Sequence, residues 1–216
     1  MPNHETHEVF LGKSEYEIQC QLDRISSQDG IASTTSEFAR GVVLRGSTTI
    51  YYPPPFSTAK KDTERSPDSA WAYRTVRIPS CIVEVANSQT TKDLTKLAHE
   101  YIWGTSAAVR TVVGFDFDYR TKKGATLSIW RPNLNDEGAL AGITCEVVEI
   151  RNKDGQRNQD TNAGLCLSLE DFAFPRPSGT FDGLDQVSIF IPVSRLCDML
   201  ELAEEQYRMG TGGEGM

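Results

Sequence analysis

The sequence predicts an α/β protein, a mixed β-sheet core flanked by helices, on three observations. Runs rich in β-branched and aromatic residues recur along the chain. One amphipathic helix interrupts them just after the segment CIVEVA, and a helix-compatible stretch lies near each end. In chain order, residues 8–25 carry scattered apolar positions that suit a short helix, and SSQDGIASTTS reads as loop. RGVVLRGSTTIYY, with Arg-Gly at its centre, reads as a hairpin, and PPPFSTAKKDTERSP as an exposed, charged connection. WAYRTV and SCIVEVA flank an Arg-Ile-Pro-Ser break and are therefore expected to be neighbouring strands.

A helix is predicted over 90–103. Thr90 and Asp93 have capping-box spacing, Leu94, Leu97, Ala98, Tyr101 and Ile102 fall on one face, and Gly104 suits the stop. Three strand-like runs follow, VRTVVGFDFDY, GATLSIW and GITCEVVEI, and the Asp-Gly of NKDGQ marks a turn. LCLSLEDF and QVSIFIPV continue the β pattern. Ser194 is expected to cap a closing helix that buries Leu196, Met199, Leu200, Ala203 and Tyr207. Residues 1–208 are read as a single domain and 209–216, rich in glycine, as a disordered tail.

Composition narrows the classes of function. The 216 residues are enough for one sizeable core, with 38% hydrophobic and 24% charged residues. Neither a membrane span nor a secretory leader is written in the sequence, which predicts an intracellular protein, cytoplasmic or nuclear, with no membrane partner. Cys20, Cys81, Cys145, Cys166 and Cys197 are widely spaced with no C-x-x-C pair, so they are expected to be reduced core residues. Against 22 basic residues stand 30 acidic ones, and a net charge of -8 opposes sequence-independent binding to nucleic acid.

Glu84 stands out because it interrupts an apolar strand, where an ionised side chain costs several kcal/mol unless a cation or donor compensates it. Side chains alternate along a strand, so Glu84 shares a face with Ile82 and Ala86, and Asp68 at the start of the preceding strand is the acid that could meet it. Two carboxylates facing one point suit a hard divalent cation such as Mg²⁺ or Mn²⁺. The competing reading pairs Glu84 with Arg74, Arg77 or Arg110 and leaves Asp68 in a surface turn.

Pro67-Asp68, a strand, Glu84 sixteen residues on within PSCIVEVANS, then a helix from Lys92 to Tyr101 resemble the PD-(D/E)XK nuclease superfamily, and more narrowly its putative restriction endonuclease family. The likeness covers roughly residues 40–135. It implies a restriction-endonuclease-like core, a cation held by Asp68, Glu84 and the Val85 carbonyl, and hydrolysis of DNA or RNA phosphodiesters. One departure stands out: the signature places a lysine two residues after the glutamate, and this chain has Ala86. Gln89, Lys92 and Lys96 are the available substitutes. Lys96 lies opposite the Leu94-Leu97-Tyr101 stripe, which favours Gln89 or Lys92 as the catalytic partner of Asp68 and Glu84. The alternative is a nuclease fold that has lost its chemistry and serves as a protein-interaction module, with a protein partner or as a homodimer.

Other residues carry less. His4 and His7 read as a solvated terminus and His99 as a surface residue. Asp116 and Asp118 share a strand face, either as a second acidic pair near the site or as exposed sheet charges. Trp71, Trp103 and Trp130 are read as core or rim packing. Lys60-Lys61 and Lys122-Lys123 are the candidate basic patches along which a polyanion could approach.

Overall fold

The computed structural model describes residues 3–53, 63–74, 76–87, 94–118, 124–173, 181 and 183–211. Its centre is a six-stranded mixed sheet in the order β1 (Val42–Leu44), β4 (Ser69–Tyr73), β5 (Cys81–Asn87), β6 (Thr111–Phe117), β7 (Ala125–Leu134) and β8 (Leu140–Arg151). β5 and β6 are parallel, joined through α3 (Leu94–Gly104), and every other neighbouring pair is antiparallel. Two small sheets complete the β structure: β2 (Ile50–Tyr52) with β3 (Thr63–Arg65), and β9 (Gly164–Ser168) with β10 (Ser188–Pro192).

Strand alternation divides the core in two. Val83, Val85, Val113, Phe115 and Phe117 face α1 (Asn3–Ser27) and α4 (Val193–Thr211), where Phe10, Ile18, Leu22, Leu196 and Leu200 are buried. On the other face Ile82, Val112 and Trp130 pack under Ala98, Tyr101 and Ile102 of α3. The apolar stripe read from the sequence is therefore the buried side of α3, and Lys96 and His99 are exposed as expected.

Several expectations are corrected. α1 starts at Asn3, and the Ser/Thr-rich stretch expected to be loop forms α2 (Ser33–Gly41). Burial of Phe38 and Ala39 explains α2: Phe38 stacks on Tyr73 with ring centroids 4.7 Å apart, and tertiary packing overrides weak propensity. The expected hairpin of 40–52 is divided. β1 joins the main sheet while β2 pairs with β3, because Val42 belongs to the α1 core and Ile50 and Tyr52 to the α3 core. α4 begins at Val193, which puts Ser194 inside its first turn, and Tyr207 is only half-buried. That helix also takes in residues 209–211 of the expected tail.

Only Cys81 and Cys197 are buried; Cys145 and Cys166 are exposed, since β8 is an edge strand whose centre contacts solvent and Cys166 faces outward from β9. Thr90, Asp93, Lys60-Lys61 and Lys122-Lys123 lie outside the described residues.

Candidate functional site

The pairing of β4 with β5 builds the site. Ser69 lies opposite Val83 and Ala70 opposite Ile82, and Asp68 stands at the bend just before β4. Alternation along β5 puts Glu84 on the α3 face with Ile82. Asp68 Oδ2 accepts a 2.8 Å hydrogen bond from the Val85 amide, so the aspartate is tied directly to the strand that carries the glutamate.

Glu84 is 1% exposed, deeper than a carboxylate normally sits. The Tyr101 hydroxyl, one face of α3, donates to Glu84 Oε1 at 2.8 Å. Burial, and then the charge of Glu84, push the Tyr101 hydroxyl far above the usual tyrosine range, which keeps it protonated as a donor. Tyr52 packs edge to face on Tyr101, with centroids 6.2 Å apart. Its own hydroxyl is buried without a hydrogen-bond partner among the described residues, and burial pushes its pKa up to about 12. Opposite Glu84 on β6 stands Gly114, where a Cβ would strike Trp130 and Leu94. The absence of a side chain there lets the indole close over the strand next to the glutamate.

α1 reaches the same corner. His7 Nε2 lies 3.2 Å from Asp68 Oδ2, and this hydrogen bond, outweighing the burial that opposes it, raises the histidine pKa above its usual value. Ser69, fully buried, donates to Glu15 of the same helix. The sequence reading missed His7, taken there as solvated. Extending the helix back to Asn3 would have put His7 one turn before the buried Phe10 and Leu11, but not against Asp68.

The expected Arg pairing of Glu84 is corrected in one respect: Arg74 bonds Glu37, with Nη2 to Oε1 at 2.6 Å. Ala86, at the position where the resembled family carries lysine, is 2% exposed and lies beside Asp116 of β6. Asp116 reaches solvent, yet partial burial against the sheet, with Asp118 adding to it, raises its carboxyl pKa. Gln89 and Lys92, the expected substitutes for the lysine, lie outside the described residues.

Among the described residues no group of three or more His, Cys, Asp or Glu side chains is gathered to hold a metal. No helix among the described residues is long and apolar enough to cross a membrane. In comparisons with known proteins, no family model and no curated protein matches the chain.

Proposed function

We propose that this chain is a restriction-endonuclease-like domain that hydrolyses nucleic-acid phosphodiesters at the Asp68–Glu84 corner with Mg²⁺ or Mn²⁺. The observation that carries the reading is Glu84, 1% exposed on β5 and met by a neutral tyrosine hydroxyl, with Asp68 bonded to the amide of the next residue, Val85. Asp68, Glu84 and the Val85 carbonyl would hold the cation. When bound, the ion would activate water and offset the charge developing on the phosphate. Tyr101 fixes the orientation of Glu84, and the Val85 amide and His7 fix that of Asp68, so both carboxylates are set before a ligand arrives. Gln89 or Lys92 would supply the donor to water or phosphate that Ala86 cannot.

Ala86 also supports a second reading, an inert nuclease fold used as a protein-interaction module, and the net charge of -8 favours it. Two measurements separate the readings. Calorimetric titration with Mn²⁺ is expected to show binding that Asp68→Ala and Glu84→Gln each abolish. Cleavage of single- and double-stranded DNA and RNA at low salt is then expected in wild type and lost in Glu84→Gln. Metal binding without cleavage selects the inert module; titration unchanged by either substitution removes the metal site altogether.

A further inference from the structure

Helices α1 and α4 run antiparallel on one side of the sheet. Glu17 Oε2 meets Arg195 Nε at 3.2 Å toward one end, and Gly210 approaches the Glu5 carboxylate at the other. Their inner stripes fill the core; their outer stripes are not uniformly polar. Tyr16 is 69% exposed, Leu202 38% and Met209 65%, three of the large apolar side chains that contact solvent, all on this two-helix face. Between the helices runs a groove of about 500 Å³ lined by Gly12, Lys13, Tyr16, Asp198, Met199 and Leu202.

Three features indicate what covers this face. First, it carries both a knob and a hole. Tyr16 projects beside a groove kept open at Gly12, where an added Cβ would meet nothing within 4 Å. A two-fold axis brings any such pair together twice, because a surface that meets its own copy needs each feature and its complement. Second, the charge is local and balanced. Lys13, Arg195 and Asp198 line the groove, with Glu17 meeting Arg195 and Arg157 meeting Asp198 beside it, so the groove carries no negative excess in a chain of net charge -8, and another copy is not repelled there as it is elsewhere. Third, the size is right. The 19 residues of α4 make a face ~28 Å long, and two helices make it ~20 Å wide, the scale of the ~800 Å² that each partner gives to a standard interface.

We propose that two copies of this chain associate through the α1–α4 face, with Tyr16 of each copy seated in the groove beside Gly12 of the other. Leu202 and Met209 complete the apolar centre, and Lys13 of one copy faces Asp198 of the other at the rim. The catalytic corner takes no part, so the association stands or falls independently of the nuclease reading.

Sedimentation velocity and light scattering on the full chain from ~1 to ~100 µM test this directly. The expected result is a rise from 24.0 kDa toward twice that mass. Tyr16→Ala removes the knob, and Gly12→Leu fills the hole without a clash inside the monomer. Each should move the association midpoint at least about tenfold, the effect of losing ~1.4 kcal/mol, with the helical circular dichroism and melting transition retained. A monomer throughout the range overturns the proposal, as does a dimer indifferent to both substitutions.

Discussion

Two buried carboxylates, one on a strand of the main sheet and one in a single-turn helix packed against it, are bonded differently. Asp171, 5% exposed, receives Arg131 through both oxygens, Nε to Oδ1 at 2.8 Å and Nη2 to Oδ2 at 2.9 Å. The Ser168 amide adds a bond at 2.8 Å and the Thr111 hydroxyl another. Its charge is answered by a guanidinium, and the result is a clamp between the single-turn helix Leu169–Phe172 and strands β6 and β7. Glu84 is deeper still at 1%, and the Tyr101 hydroxyl donates to it at 2.8 Å. Asp171 serves the fold, whereas under the proposed function Glu84 serves a ligand.

Breaking the clamp should give the largest effect. Asp171→Ala leaves Arg131, 31% exposed, without its anion, and is expected to cost about 3 kcal/mol, a fall in Tm of roughly 6–10 °C. A melt within a degree of wild type would erase the distinction drawn above. Tyr101→Phe probes the other side of the comparison. It deprives buried Glu84 of a donor and should cost about 1.5–3 kcal/mol in chelator, with added Mn²⁺ recovering part of the loss. Equal losses with and without the ion would separate Tyr101 from the site.

The smallest expected effect belongs to Asp116, beside Ala86. Its folded pKa is raised, so the unfolded chain ionises first, and the fold loses stability as pH rises from the usual aspartate value through the raised one. Asp116→Asn is therefore expected to stabilise modestly at neutral pH, with the gain vanishing below the unfolded pKa. Melting curves across that range decide it: a loss of stability at pH 7 would mean that the carboxylate is compensated.

The burial of Glu84 was legible because it breaks a pattern: an apolar strand with one acid announces a burial cost. The buried stripe of α3 followed from its spacing in the same way. His7 was hidden because nothing near it in sequence shows that α1 crosses the start of β4. Tyr101 could be assigned to a buried face but not to a partner, since periodicity gives the direction of a side chain and not what lies there.

What the sequence alone determined is local: most of the strand segments and which face of α3 is apolar, though β3 lies in a stretch expected to be a connection. These depend on propensity and alternation, which act over a few residues. The tertiary structure decided that β1 and β2 part company, that Ser33–Gly41 is helical, and that α1 supplies His7 and Glu15 to the corner. Each of these turns on burial against segments far away in the chain. Val42 and Tyr52 have similar sequence surroundings and opposite destinations, because the energy of packing depends on the neighbours that the completed sheet provides.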